Sequence, residues 1–574
     1  MFKVKCNVVK YLSLMKIGLI WPAAECRTTE VLPFPSISTP VLTRHLRELG
    51  HKVTLLDIEI SLYRKFPNGF NAPPFNILKN KRKVVDYLNN RLNKAESKVF
   101  KKIENIFFNL QPVPKCDLYG ISLVFGSMPS IAVVNSAALV ANKLKKRFPA
   151  TPVVIGSRLA QQEYYEIFSQ YPCFDYAIWG EGEVPLEYLV RYLRSGKGQL
   201  YNTLERNNGN ITIHSDGIPS PVVCTSPDYT SYPIKKYTFT VKEVFARYKT
   251  PPLIRKYQAG KYDQLILYYK FQSTCRGSCA FCDCSHGPSD RRSVDQVIEE
   301  LCRLKELGVT GVNFINTNFN DTYKFADELC DKMIKYKLDL QWSDCANFRF
   351  LDEKLLSKMQ RSGAVKLIFG LETGSPRLLK YIKKNTTIEQ AEKCLRYAHK
   401  LGIWNHLELI PGLPRETDKD ILETVGFIKR NAEFLDIYSV TPYIFLADSP
   451  FARKVSEFGL KSDIARMPSQ ERLRLRPFDE VNGLPWKEKL EQRYRSYNTV
   501  LKTIIDTYSM APVEMTHLHL LMYLYHTLGH SNKETIRRVM NIMRCNWKPF
   551  YADCFSTMPK FERHLKSKKA FLRE

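Results

Sequence analysis

The stretch Cys275-Arg276-Gly277-Ser278-Cys279-Ala280-Phe281-Cys282 lies just behind Leu265–Phe271, an apolar and aromatic run that reads as a strand. Thiolates are the usual ligands of iron–sulfur clusters, and so short a loop can set three of them around one face of a cube. Three ligands leave the fourth iron open to a second molecule, as catalytic metal sites keep a vacant position. The place suits chemistry too, because in βα barrels the reacting groups sit on loops at the carboxyl ends of the strands. Zinc is another reading of these thiols, with Cys284 or His286 at hand to complete a set of four ligands. A four-thiolate electron carrier would also need Cys284, across an awkward one-residue gap from Cys282.

Downstream of the loop the pattern alternates with a long beat. Ser293-Val-Asp-Gln296 is a capping box opening a helix whose Val294, Val297, Ile298, Leu301 and Leu304 share one face, and Gly308 marks its end. Strand patterns at 311–315, 338–342, 365–371, 403–410 and 435–442 follow, with helical stretches between them. Counting 265–271, six βα units occupy residues 263–453. A complete eight-unit barrel takes about 250 residues, so the expectation is an open, partial (β/α)6 TIM barrel. Residues 454–574 read as a basic, helical C-terminal domain. Its His517, His519, His526 and His530 lack an accompanying Glu-x-x-His pattern and read as packing or surface histidines.

Upstream, residues 16–195 alternate candidate strands (16–21, 53–57, 118–123, 153–155, 176–179) with helical patterns near 38–49, 130–147, 160–169 and 183–194. That alternation predicts a parallel sheet covered on both faces, so the chain as a whole is of the α/β class. A Lys/Asn-rich insertion at 60–112, helical over 81–108, interrupts it. Residues 196–262, with Pro219, Pro221, Pro227 and Pro233, read as an irregular linker. Residues 1–15 form an N-terminal extension, and Met15 is a second candidate start. Lys16 interrupts the apolar run that would otherwise resemble a signal peptide.

The Cys-x3-Cys-x2-Cys spacing with Phe281 before the last cysteine resembles the signature of the radical S-adenosylmethionine (SAM) superfamily, whose core is a six-unit barrel. Phe369-Gly370-Leu371-Glu372-Thr373-Gly374-Ser375 resembles that family's glycine-rich fourth-strand motif, and Leu409-Ile-Pro-Gly412-Leu-Pro-Arg-Glu416-Thr417 its fifth-strand end. The resemblance implies a [4Fe–4S] cluster on Cys275, Cys279 and Cys282, with SAM chelating the open iron beside Phe281, Gly370 and Glu372. One-electron reduction would then cleave SAM to methionine and a 5′-deoxyadenosyl radical, with an electron donor such as flavodoxin or ferredoxin as partner. Asn316-Thr317-Asn318-Phe319 departs from the acidic residues that many relatives carry after the second strand.

The first domain resembles the cobalamin-binding, Rossmann-like domain of one radical SAM subclass, through Asp117-Leu-Tyr-Gly-Ile-Ser122, Val153-Val-Ile-Gly156 and Asp175–Glu183. An open α/β sheet binds flat ligands beyond the carboxyl ends of its strands, where Ser122, Gly126, Ser127, Gly156, Ser157, Gly180, Glu181 and Gly182 fall. The motif Asp-x-His-x-x-Gly is missing, so the resemblance implies cobalamin held without a histidine ligand from the protein. With both cofactors, the implied reaction is transfer of a methyl group from methylcobalamin to an unactivated carbon or a phosphinate of a peptide or natural-product substrate. A cyclase or rearrangement enzyme of the same subclass is the alternative, and a non-catalytic iron–sulfur protein a second one. No catalytic acid, base or hydrogen donor is singled out.

Composition bounds the rest. The 86 Lys and Arg against 58 Asp and Glu leave a net charge of +28, which favours anionic partners without choosing among them. A basic tail (Lys560, Arg563, Lys566, Lys568, Lys569) would suit an acidic leader peptide or stand in solvent. The charge alone does not argue for nucleic acid. No run approaches the roughly 20 apolar residues of a membrane span. The fifteen cysteines are mostly scattered rather than framed for disulfides, and so point to a reducing cytoplasm.

Overall fold

The computed structural model describes residues 14–23, 32–66, 73–123, 131–157, 161–215, 225–246, 252–258, 260–273, 275–282, 291–446, 449–462, 477–508 and 518–544. One compact unit is built from the chain up to Thr238 together with Leu267–Ser273. A second comprises Phe239–Ile266, the cysteine loop and the chain from Ser293 onward.

The first unit contains β1 (Lys16–Trp21), β2 (Lys52–Asp57), β3 (Leu118–Ser122), β4 (Val153–Ser157), β5 (Tyr176–Trp179), β6 (Thr203–Asn207) and β7 (Asn210–His214). They form one sheet in the order β2-β1-β3-β4-β5-β6-β7. The pairs from β2 to β5 are parallel, as the strand–helix alternation predicts. Alternate side chains of these strands supply two cores, one for each face of the sheet. Ile17, Leu19, Leu118, Val154 and Ile178 pack with Leu46 and Leu189, from helices Ser38–Glu48 and Glu183–Ser195. Ile20, Ile121, Ile155 and Ala177 pack with Phe107, Ala137 and Phe168, from helices Lys94–Asn109, Ile131–Arg147 and Gln161–Gln170.

The insertion is helical over Lys81–Leu88 and Lys94–Asn109. One expectation is corrected here. Residues 203–214 do not belong to an irregular linker, because β6 and β7 extend the first sheet with antiparallel pairs. Their turn is Asn208-Gly209, with φ of +49° and +84°, the pair that a tight hairpin of right-handed strands requires.

The second sheet holds β8 (Ile266–Tyr269), β9 (Gly311–Phe314), β10 (Gln341–Ala346), β11 (Ala364–Glu372), β12 (Trp404–Leu409) and β13 (Ile437–Val440), side by side in chain order. Pairs β9 to β13 are parallel, each pair joined through a helix. This is the partial (β/α)6 barrel that the sequence predicts. The Ser293 capping box is present, and Thr417 and Asp420 form a second one. β10 begins three residues later than its apolar pattern suggests, because Lys337 and Asp339 take left-handed turn conformations ahead of it (φ +48° and +49°). Helices Trp486–Tyr508, Leu518–Leu528 and Lys533–Arg544 make up most of the described C-terminal region. Among the described residues no helix is long and apolar enough to cross a membrane.

Candidate active site

The three cysteines lie half-buried on the loop beyond β8. Ala280 pins that loop. Its N–H donates to the Ile382 carbonyl at 2.8 Å and its own carbonyl accepts from the Phe451 N–H at 2.9 Å. The Ala280 methyl is fully buried among Leu413, Tyr443, Phe445 and Phe451, with Phe281 packed alongside. The Sγ of Cys275 accepts from the Gly277 N–H and from Asn318 Nδ2, both at 3.2 Å. Burial pushes the thiols of Cys275 and Cys279 up, while the nearby Lys384 cation pulls both down.

The carboxyl end of β11 meets the loop through Lys384. Its Nζ donates to Glu372 Oε1 at 2.6 Å and lies 5.8 Å from the centre of the Phe281 ring. Burial works against the Lys384 charge, but Glu372 and Cys279 outweigh it and hold the ammonium's pKa above its usual value. A Cβ on Gly370 would lie 2.5 Å from Glu372 Oε1 and 2.9 Å from Lys384 Nζ. The glycine therefore leaves room for the ion pair to cross the strand end. A bulge between Gly370 and Glu372 interrupts the pairing with β12, and Glu372 takes a φ of +71°. Such backbone strain in a non-glycine residue is typical of functional sites.

Cys279, Phe281, Gly370 and Glu372 are thus gathered around Lys384, a residue that no motif marks. The asparagine loop after β9 is stitched to the end of β10. Asn316 donates to Asp344 Oδ2 at 2.7 Å, and Asn320 exchanges two 2.7 Å bonds with the backbone of Asn347. Burial raises the Asp344 carboxyl to about 8 against the bonds it accepts.

Gly412 serves packing instead. Its φ is +85°, and a Cβ there would lie 2.5 Å from Cγ of Arg493 on helix Trp486–Tyr508. The Glu416 carboxylate accepts from the Gly412 N–H at 2.9 Å and closes that turn. The histidines of the C-terminal region pack as expected. His519 is buried edge-on to Phe239, His526 stacks on Tyr262, and His530 bonds the Ala364 carbonyl at 2.9 Å. His517, Cys284, His286 and the basic tail lie outside the described residues.

The donor set fits an iron–sulfur cluster. Three thiols share one loop, two N–H groups point at one sulfur, and a cation stands beside another, as suits an anionic cluster. A small, solvent-open hollow lies against the loop, lined in part by Gly277, Cys279 and Lys384. Among the described residues no three His, Cys, Asp or Glu side chains converge on a single metal ion.

In the first unit, the carboxyl edge aligns Ser122 with Gly156 and Ser157 with Trp179. Ser122 Oγ bonds Ser38 Oγ at 2.7 Å, which bonds Ser36 Oγ at 3.0 Å. A Cβ on Gly156 would meet only the Ile178 carbonyl, at 3.9 Å. Gly180, at φ +81°, turns the chain out of β5. Glu181 lies 3.6 Å from Lys270, and Gly182 precedes the helix Glu183–Ser195. Gly126 and Ser127 lie outside the described residues.

The same edge carries two buried carboxyls that the sequence does not mark. Asp57 accepts from the hydroxyls of Tyr232 and Tyr237. Glu59 accepts from Trp21 Nε1 at 2.6 Å, and burial with help from Asp57 raises it to about 8.

Comparison with known proteins agrees with this geometry. Residues 269–428 match the model of the radical SAM superfamily. An uncharacterized methyltransferase of Pyrococcus horikoshii is 26% identical over 369 residues, which are 63% of this chain and 72% of that protein. The cytidylyl-2-hydroxyethylphosphonate methyltransferase of Streptomyces wedmorensis is 32% identical over 145 residues, 24% of this chain and 27% of that one. Among solved structures, the radical S-adenosylmethionine methyltransferase TsrM of Kitasatospora setae, with cobalamin and a [4Fe–4S] cluster bound, superposes with a TM-score of 0.57. It shares 15% identity, over 93% of this chain and 99% of that one. Residues 269–428 thus carry a radical SAM domain, and the fold around them is shared with TsrM.

Proposed function

We propose that this enzyme is a cobalamin-dependent radical SAM methyltransferase acting on an unactivated carbon or a phosphinate of a peptide or natural product. The observation that carries the reading is the meeting of the cysteine loop with Glu372 and Lys384 at the carboxyl end of β11. Cys275, Cys279 and Cys282 would hold a cluster, which when bound would supply the electron for SAM cleavage, and a bound cobalamin would supply the methyl group. Phe281 and the bare backbone of Gly370 would border SAM, and Glu372 would hold its amino group. Lys384 restrains the Glu372 carboxylate and adds positive charge beside Cys279. Ser122, Gly126, Ser127, Gly156, Ser157 and Gly180–Gly182 would seat the cobalamin at the edge of the first sheet. The methyltransferase names of the two relatives support methyl transfer.

The test is anaerobic reconstitution with iron, sulfide, methylcobalamin and SAM, followed by mass spectrometry. The expected result is retained cobalamin with both 5′-deoxyadenosine and S-adenosylhomocysteine, and loss of both products in Cys279→Ala. Deoxyadenosine alone, without retained cobalamin, would keep the radical enzyme and sink methyl transfer.

A further inference from the structure

The inner face of the barrel carries a lysine that no motif marks. Parallel register puts Asn313, Cys345, Ile368, Gly370, Glu408 and Ser439 on one side of β9–β13. All six are partly exposed, whereas their neighbours along each strand are buried. The side of the sheet away from the helices is therefore a hollow rather than a filled core. Helix Leu518–Leu528 packs across its amino end. A Cβ on Gly311, at the start of β9, would lie 2.7 Å from Met522 Sδ, and the Tyr525 hydroxyl donates to the Gly402 carbonyl at 2.6 Å. The way in is from the carboxyl end, where Gly370 and Glu372 stand.

Lys366 lies on this inner face, two residues before Ile368 and directly across from Ser343. It is 7% exposed, and among the described residues its ammonium makes no hydrogen bond and no ion pair. The Ser343 hydroxyl beside it is buried without a partner as well. Burial lowers the Lys366 pKa to about 8, while Cys345 and Glu408 act to raise it. Glu408 acts on Lys384 too, so one carboxylate links the two lysines electrostatically. Burial holds the Cys345 thiol far above its usual pKa, and the thiol therefore supplies no counter-charge. Other buried lysines of the same unit are paired directly, Lys489 with Glu480 at 3.0 Å and Lys533 with Asp436 at 2.8 Å. An ammonium kept out of water without such a bond is costly, and a bound anion would offset that cost. From Lys366 to Gly370 is four residues, about 13 Å of strand. A small molecule held at the ammonium can thus extend to the SAM motif.

We propose that Lys366 anchors an anionic group of the substrate, a carboxylate or a phosphorus oxyanion, inside the barrel. The charged end is held deep in the hollow and the rest of the molecule is directed toward Gly370. Calling the guest a substrate rests on the methyltransferase reading above; the binding of an anion at Lys366 is tested apart from it.

The test is thermal unfolding of the reconstituted, oxidised enzyme, with SAM present to occupy the open iron. Propionate and methylphosphinate are the anionic probes and propionamide the neutral one, at constant ionic strength. Either anion is expected to raise the wild-type melting temperature, as binding to the folded state requires, and propionamide is not. The anion that acts at lower concentration names the group as carboxylate or phosphorus oxyanion. Lys366→Met keeps a long apolar stem without the charge. It should need at least about tenfold more of either anion for the same shift, the contribution of one charge-assisted hydrogen bond. Without anion its melting temperature should equal or exceed wild type, because an unpaired buried charge is gone. Lys366→Gln should lose the anion response in the same way, and serves where Lys366→Met does not fold.

An anion response in these variants equal to wild type overturns the proposal, as does a wild type that responds to neither anion. A lower melting temperature of both variants without anion would assign Lys366 to the core instead. Deoxyadenosine formation is read on parallel samples with dithionite. An anion response without deoxyadenosine keeps the anchor and drops the parent reading, and deoxyadenosine without an anion response does the reverse.

Discussion

At the scale of single residues, the site is organised by two side chains of no recognisable motif, Lys384 and Asn318. Lys384 stands between Cys279 and the glutamate of the fourth-strand motif. Asn318 lies in the Asn316–Phe319 stretch after β9, and its amide donates to Cys275 Sγ at 3.2 Å. A donor to a ligating sulfur stabilises the reduced, more negative cluster and so raises its potential. One such bond is worth about 1 kcal/mol, which for one electron is about 40 mV. Asn318→Ala is therefore expected to lower the midpoint potential by that order, read by redox titration with electron paramagnetic resonance. Asn318→Asp, which cannot donate when ionised, should lower it further, and an unmoved potential in both would remove Asn318 from this role. The cysteines and Gly370–Glu372 were legible because spacing and motif survive in one dimension. Lys384 was not, since its importance lies in meeting Glu372 across twelve residues of turn and helix.

At the scale of elements, glycines that look alike in sequence divide by what they face. Gly370 clears space for the ion pair, whereas Gly412 lets helix Trp486–Tyr508 lie against the turn after β12. Alanine at 412 must take φ +85° and places its Cβ 3.0 Å from the Arg493 Cα. The left-handed strain and the overpacking together should cost about 2–4 kcal/mol. Gly412→Ala is expected to lower the denaturant midpoint accordingly, and a midpoint unchanged from wild type would show that the helix shifts without cost. Helices with caps were readable for the opposite reason. The Ser293 box satisfies its own backbone within four residues, so nothing distant can overrule it. The β6–β7 hairpin is equally local in its Asn208-Gly209 turn, but its five-residue strands are largely polar and carry little apolar alternation.

At the scale of the whole molecule, buried carboxyls with raised pKa values occur in both units: Glu59 at about 8, Asp344 at about 8 and Glu416 at about 7. Below about pH 4.5 Glu59 is protonated whether the chain is folded or not. From there to about 8 only the folded chain keeps the proton, so rising pH draws the balance toward unfolding. Glu59→Gln retains an acceptor for Trp21 and has no proton to lose. Its melting temperature should gain on wild type steadily from pH 5 to 8, and a constant difference between the two would show that Glu59 does not titrate in that window. The sequence by itself determined the parallel α/β architecture, the six-unit barrel and the cysteine loop, because periodicity, capping and ligand spacing are short-range properties. Only the tertiary structure decided that Lys384 joins the cysteine loop to Glu372 and that Asp57 and Glu59 are buried together. Those facts depend on which residues far apart in sequence share a desolvated space, and no local pattern records that.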